Sequence, residues 1–123
     1  MENPKVFLVD DEEEFTSTLA ERLRLRGFDV DIANDGVTAL QHIIDNPPHV
    51  VLLDVKMPVI GGLEVLARIK SVHSHIPVIL LTGVGSTRDG IEGMHAGAFD
   101  FLMKPLQIEM LIDKISEALK GID

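Results

Sequence analysis

The apolar run at residues 50–53 constrains the fold of this chain more than any other feature of the sequence. All four residues are aliphatic, and the run is bounded by Pro47 and Pro48 before it and by Pro58 after it. A short apolar run between chain-breaking residues is typical of a strand that is buried on both faces of a sheet. The run ends on Asp54, which favours a charged group at the sheet edge, where solvent, a metal or a substrate can reach it. An Asp that begins a turn would explain the residue equally well.

The same alternation of strand and helix runs along the whole chain. Further strands are predicted at residues 5–9, 28–33, 77–82 and 99–103. Apolar residues at helical spacing predict helices at about residues 13–26, from 36 to the double proline, 62–72, 86–95 and 107–120. Strands that alternate with helices form parallel βα units with helices on both faces of one sheet. We therefore predict an α/β fold of the flavodoxin-like, doubly wound (βα)5 type, with a five-stranded parallel sheet in the order 2-1-3-4-5.

Composition limits the classes of function that are open to the chain. A length of 123 residues predicts one domain over residues 1–123. The sequence has no cysteine, which excludes disulfides and thiolate metal sites, and its formal net charge of −9 argues against direct binding to nucleic acid. No apolar run approaches the roughly 18 residues of a membrane span. The first residues lack the pattern of a signal peptide, so we expect a cytoplasmic protein without membrane contact.

Polar residues at the ends of the predicted strands form the candidate site. They are Asp10 and Asp11 after the first strand, Asp54 after the third, Thr82 at the end of the fourth and Lys104 after the fifth. In the predicted strand order, ligands bind outside the carboxyl ends of the strands, between the first and third strands. Three carboxylates repel one another and suit a hard cation, for which magnesium is the most economical choice. With a lysine and a hydroxyl beside them, they form a site that can hold a phosphoryl group on Asp54.

Each of these partners also has a simpler explanation. Asp10 and Asp11 could cap the first helix, Thr82 could be an ordinary strand residue, and Lys104 could be a solvated strand end. What favours the functional interpretation is that all of them fall on the same edge of one parallel sheet.

These residues also carry a resemblance to a known family. Over essentially its whole length the chain resembles the receiver domain of two-component response regulators. The resemblance rests on four segments in this order: Val9-Asp10-Asp11, Asp54-Val55-Lys56-Met57-Pro58 with Gly62, Leu81-Thr82-Gly83, and Phe101-Leu102-Met103-Lys104-Pro105. It implies a signalling switch that takes a phosphoryl group from a sensor histidine kinase or a phosphotransfer protein. Its output would pass to a downstream output domain or protein partner, or to a phosphorylation-dependent dimer.

The resemblance implies a role for each site residue. Asp54 would be the phosphoacceptor. Asp11 would ligate magnesium directly and Asp10 mainly through water, with Asp54 and the backbone carbonyl of Lys56 as the other protein ligands. Lys104 would contact a phosphoryl oxygen. Apart from self-phosphorylation from a donor and slow self-dephosphorylation, no enzymatic activity is implied.

A switch pair is implied as well. Thr82 and Phe101 correspond to it: the hydroxyl would turn toward the phosphoryl group and the ring would move inward. This movement would remodel the face made by the fourth helix, the fifth strand and the fifth helix. The bond between Lys104 and Pro105 would be cis.

The fourth helix is the weakest of the predicted helices. Five of the ten glycines fall between Gly83 and Gly97. Gly90 and Gly93 lie inside the helix, and each lowers its stability by about 1 kcal/mol relative to Ala. We expect a soft helix with two arrangements, which Gly90→Ala combined with Gly93→Ala would stiffen, thereby weakening the output.

Two other classes of protein fit parts of the pattern. A magnesium-dependent phosphohydrolase with an aspartyl nucleophile would share the carboxylates, but such enzymes commonly place a general acid two residues after the nucleophile, where this chain has Lys56. A flavodoxin-like cofactor binder would need a phosphate-binding loop after the first strand. Here that segment is acidic, and the chain has no Trp or Tyr to stack on a flavin.

Overall fold

A computed structural model of the chain describes residues 3–83 and 87–120. Five strands and five helices alternate within these residues: β1 (Lys5–Val9), α1 (Glu13–Arg24), β2 (Asp29–Ala33), α2 (Gly36–Asp45), β3 (Val50–Asp54), α3 (Gly62–Val72), β4 (Val78–Thr82), α4 (Thr87–His95), β5 (Asp100–Met103) and α5 (Ile108–Lys120). Every predicted element is present, with bounds close to those predicted. The expected first residue of α4, Ser86, lies outside the described residues.

The largest difference from the prediction is at the end of α1, which stops at Arg24 rather than at Arg26. The N–H groups of Arg26 and Gly27 donate to carbonyls three residues earlier, so the last turn is tighter than an α-helix. Gly27 has a φ of +92°, which favours glycine and turns the chain toward β2. The Arg24 guanidinium then donates to the carbonyl of Val30 in β2 at 2.7 Å.

The strands form one parallel sheet in the order β2-β1-β3-β4-β5, which confirms the predicted topology. The chain leaves β1 for the edge strand β2 and then returns to the other side of β1, so the switch point lies between β1 and β3. In register, Val9 lies beside Leu53, and Asp54 lies beside Leu81. The residues that follow β1 and β3 therefore meet at one edge of the sheet.

Hydrophobic side chains cover both faces of the sheet, which explains the continuous apolar runs in the sequence. One cluster lies under α2 and α3, and the other lies under α1 and α5. Successive residues of β1 alternate between them: Phe7 and Val9 belong to the first cluster, Val6 and Leu8 to the second. Asp54 is the last residue of a strand that is buried along its whole length.

The glycines of α4 have a packing role that the sequence did not reveal. A Cβ at Gly90 would lie 2.7 Å from Cδ2 of Phe101, and a Cβ at Gly93 would overlap Cδ1 of Leu80. The helix thus approaches the sheet more closely than alanine would allow. Replacing both glycines by alanine would displace α4 from the sheet as well as raise its helix propensity. The predicted simple stiffening therefore does not follow, while the softness of the helix stays a prediction.

The helices in the described ranges are too short or too polar to cross a membrane.

Candidate functional site

Three carboxylates meet where β1 and β3 end. One oxygen from each of Asp10, Asp11 and Asp54 lies within 4.8 Å of the others. The backbone around Asp10 is fixed, because its N–H donates to the carbonyl of Ala33 at 3.2 Å and the side-chain amide of Asn34 donates to its carbonyl at 2.7 Å. The predicted carboxylate cluster is therefore present as a geometric feature of the fold.

The loop after Asp54 is held by the start of α3. The N–H of Gly62 donates to the carbonyl of Val55 at 2.8 Å. A Cβ at Gly62 would overlap the carbonyl oxygen of Asp54, so only glycine permits this approach. Lys56, whose carbonyl was predicted to bind a metal, lies in the same loop, and its backbone N–H opposes the rise in the pKa of Asp54.

Burial and mutual repulsion make the cluster electrostatically unfavourable. Burial raises the pKa of Asp54 to about 6, and the charge of Asp10 adds to the shift, while Lys104 partly opposes it. Burial also raises the pKa of Asp10, against the hydrogen bond from Lys104. Three oxygen donors with excess negative charge form the kind of site that a hard divalent cation occupies. The residues present therefore fit a magnesium ion.

Lys104 extends into the cluster from the end of β5. Its Nζ donates to Oδ2 of Asp10 at 2.6 Å and to Oε1 of Glu12 at 3.2 Å, and lies 3.7 Å from Oδ1 of Asp54. Burial lowers the pKa of Lys104, but these carboxylates outweigh burial and raise it, so the amine is protonated. The peptide bond between Lys104 and Pro105 is cis, as the resemblance implied.

The two predicted switch residues lie on the β4–β5 side of the site. Thr82 ends β4, is fully buried, and its hydroxyl lies 3.4 Å from the carbonyl of Leu102. Phe101 lies in β5, is partly buried, and packs against α4 at Gly90. The backbone links the two sides of the site, because the N–H of Lys104 donates to the carbonyl of Thr82 at 2.7 Å.

Two contacts of Lys104 were not predicted from the sequence. Glu12 follows Asp11 in the acidic segment after β1, and Phe15 lies in the first turn of α1. In the structure Glu12 pairs with the lysine, and Nζ lies 4.4 Å from the centroid of the Phe15 ring. The partners are about 90 residues apart along the chain, so no local pattern could indicate these contacts.

Comparison with known proteins identifies the family. A sequence model of the response regulator receiver domain matches residues 6–116. The transcriptional regulatory protein PrrA of Mycobacterium tuberculosis is 35% identical over 118 residues, which cover 96% of this chain and 51% of PrrA. The response regulator MprA of Mycobacterium leprae is 35% identical over 116 residues, which cover 94% of this chain and 51% of MprA. The chain thus spans about half the length of these curated relatives.

Solved structures give the same result at the level of the fold. The Francisella response regulator 1452 receiver domain superposes with a TM-score of 0.91 at 32% identity, covering 98% of this chain and all of that one. The receiver domain of NtrX from Brucella abortus superposes with a TM-score of 0.90 at 32% identity, covering 94% of this chain and 98% of that one. Together with the match over residues 6–116, these likenesses show that the chain belongs to the response regulator receiver domain family.

Proposed function

We propose that this receiver domain, residues 1–123, is a phosphorylation-dependent switch in which Asp54 accepts a phosphoryl group. The donor would be a histidine of a sensor kinase or of a phosphotransfer protein. The observation that carries the proposal is the position of Asp54, whose carboxylate ends a buried strand beside two further carboxylates and 3.7 Å from the Lys104 amine. A nucleophile, a cation site and a fixed positive charge are the parts that phosphoryl transfer to a carboxylate needs.

The transfer itself is an in-line displacement at phosphorus. An Asp54 oxygen forms the new P–O bond while the P–N bond to the donor histidine breaks, and the imidazole nitrogen leaves with the electron pair. With acetyl phosphate as donor, the P–O bond to the acetyl group breaks and acetate leaves. Because the pKa of Asp54 is about 6, the carboxylate is mostly ionised at neutral pH and needs no base.

The protein ligands for magnesium would be Asp10, Asp11, Asp54 and the carbonyl of Lys56. When bound, magnesium would neutralise charge on the carboxylates and on the phosphoryl oxygens. Lys104 would donate to a phosphoryl oxygen as its distance to Asp54 shortens. Because Lys104 is protonated and only 19% exposed, its charge is little screened by solvent.

The output would pass through Thr82 and Phe101. The Thr82 hydroxyl would turn toward the phosphoryl group, and the Phe101 ring, which now packs on α4, would move inward. The face beside it has exposed apolar residues on α4, β5 and α5, namely Ile91, Met94, Met103 and Met110. An output domain, a protein partner or a second phosphorylated copy would bind this face. Since the named transcriptional regulators among its relatives are about twice as long, we favour an output domain in the full-length protein.

The phosphohydrolase alternative has less support. The position two residues after Asp54 is Lys56, which is a poor general acid for that chemistry, and the family of the chain is one of response regulators. Self-dephosphorylation is therefore expected to be slow compared with transfer. The negative net charge makes direct binding of nucleic acid by this domain unfavourable, and the expected cytoplasmic location stays a prediction.

The test is the intact mass of the protein after incubation with acetyl phosphate and magnesium. We expect a gain of about 80 Da in the wild type, which is lost without magnesium and in Asp54→Asn. Asp113→Asn, on the exposed side of α5, is the matched control and should still gain the mass. A wild type that gains no mass and releases no phosphate would contradict the proposal, and rapid phosphate release without an adduct would favour the hydrolase.

A further inference from the structure

The Lys104 amine makes its hydrogen bonds with residues that follow β1 and not with Asp54. Its Nζ is 2.6 Å from Asp10 and 3.2 Å from Glu12, both within hydrogen-bond distance, whereas the 3.7 Å to Asp54 is beyond it. The Phe15 ring lies against the same amine, 4.4 Å from its centroid. The Lys104 amine therefore has contact partners other than the proposed phosphoacceptor, Asp54.

Glu12 is free to take this role because it does not cap its own helix. It occupies the N-cap position of α1 but makes no side-chain capping hydrogen bond. Its backbone is instead anchored to the site, since its N–H donates to Oδ1 of Asp10 at 2.9 Å. With its backbone fixed and its side chain unused by α1, Glu12 reaches across to Lys104.

We propose that Glu12 and Phe15 are positioning residues, which keep the Lys104 amine engaged beside α1 rather than hydrogen-bonded at Asp54 and thereby slow phosphoryl transfer. The proposal rests on the function proposed above. In this proposal, Lys104 exchanges its ion pair with Glu12 and its contact with the Phe15 ring for a phosphoryl oxygen on Asp54. Both interactions stabilise Lys104 where it lies in the unphosphorylated protein. They therefore raise the free-energy barrier to phosphoryl transfer and do not stabilise the phosphorylated protein.

The expected size of the effect follows from the exposure of the pair. The Glu12 side chain is 65% exposed and that of Lys104 is 19% exposed. Ion pairs with one exposed partner are weak and are screened by salt. We therefore expect Glu12→Gln to phosphorylate about two- to fivefold faster than the wild type with acetyl phosphate at low salt. The ratio should approach one as salt is raised to about 1 M, where the Debye length is about 3 Å.

Two further variants distinguish an effect of the ion pair between Glu12 and Lys104 from an effect of negative charge near the site. Glu14→Gln removes the same charge from an exposed position in the first turn of α1, and it should match the wild type. Glu12→Asp keeps the charge but shortens the side chain by one methylene, so its carboxylate no longer reaches the lysine. If Glu12 acts by holding Lys104, Glu12→Asp will be as fast as Glu12→Gln.

Phe15→Leu tests the second contact. Leucine keeps an apolar side chain in the cluster under α1 but has no ring face for the amine. We expect Phe15→Leu to be phosphorylated less than about twofold faster than the wild type, which is a smaller acceleration than in Glu12→Gln. Because Glu12 and Lys104 are both still present, the phosphorylation rate of this variant should still depend on salt. A melting temperature near that of the wild type in each variant would show that the rate change does not come from altered folding.

The outcomes are distinct from those of the phosphorylation test itself. If the wild type gains no phosphoryl group on Asp54, the proposed function fails. If the wild type is phosphorylated but Glu12→Gln is not faster, the inference about Glu12 fails alone. It also fails if Glu12→Asp is phosphorylated at the wild-type rate while Glu12→Gln is phosphorylated faster. The negative charge at position 12 would then explain the rate without a contact between Glu12 and Lys104.

Discussion

The two helices on either side of β5 are attached to the sheet in different ways. In α5 the buried residues are Leu111, Ile115 and Ala118, and all three belong to the cluster shared with α1. In α4 the buried residues are Gly90 and Gly93. One helix is thus held by apolar side chains, and the other by close approach of its backbone.

The difference shows how the helix on one face of the sheet can stay fixed while the helix on the other face moves. Burial of a large apolar side chain contributes about 1.5–3 kcal/mol, and a glycine has no side chain to contribute. Displacing α4 by a small distance should therefore cost much less than displacing α5. The residue between them, Phe101, packs on the helix that is less firmly held, which is where a switch residue would have most effect.

The largest effect is expected from Leu111→Ala, which removes the side-chain packing of α5. Leu111 is fully buried, so the free energy of unfolding should fall by about 2–5 kcal/mol. Ile91→Ala is the matched truncation on α4, where the side chain is 51% exposed, and it should change the free energy by about 0.5 kcal/mol or less. Urea unfolding measures both values. Equal losses in the two variants would remove the contrast between the helices.

Gly93→Ala tests the close approach of α4. The new Cβ would overlap Leu80, so we expect a loss of about 1–3 kcal/mol in the free energy of unfolding in spite of the better helix propensity. The loss should be smaller when Leu80→Ala is already present, because the overlapping methyl is then absent. Gly83→Ala is the control, since a Cβ there meets nothing within 4 Å. A Gly93→Ala variant more stable than the wild type would contradict the packing argument.

Hydrogen exchange tests the difference in mobility directly. In the unphosphorylated wild type we expect amides of α4 to exchange at least about tenfold faster than amides of α5, which corresponds to about 1.4 kcal/mol in opening free energy. Comparable protection in the two helices would show that α4 is not soft. It would leave the phosphoryl-transfer chemistry untouched.

The smallest effect is expected at the ion pair that links α5 to β5. Nζ of Lys114 lies 2.8 Å from Oδ2 of Asp100, and both side chains are partly exposed. Lys114→Met should lower the free energy of unfolding by about 0.5 kcal/mol. In about 1 M salt the free energy of unfolding of the wild type should fall toward that of the variant, because salt screens the ion pair. A loss as large as that of Leu111→Ala would mean that charge, and not apolar packing, holds α5.

The sequence predicted the fold well because its signals are local and strong. The run at residues 50–53, with its counterparts at residues 5–9 and 77–82, has the length and composition of a doubly buried strand. Once such strands alternate with helices, few topologies remain, and their carboxyl ends must share an edge. The sequence alone therefore groups Asp10, Asp11, Asp54 and Lys104, and the structure brings them together.

Other features could not be read from the chain because they depend on distances between elements. The glycines of α4 lower its helix propensity, and propensity alone predicts that alanine would be better there. Only the packing of α4 against Phe101 and Leu80 shows that there is no room for a Cβ. A sequence gives the identity of each residue but not the separation of a helix from the strand that it covers.

By itself, the sequence determined the strand order, the edge at which the polar residues meet and the family to which the chain belongs. These features depend on hydrophobic periodicity and on the residues at strand ends, which are patterns of residues close together in the sequence. The tertiary structure alone decided how Lys104 is shared between Asp10, Glu12 and Asp54, and how closely α4 approaches the sheet. Those contacts join residues far apart in the chain. Their strength depends on a few tenths of an ångström and on burial, which follow only from the packing of the whole domain.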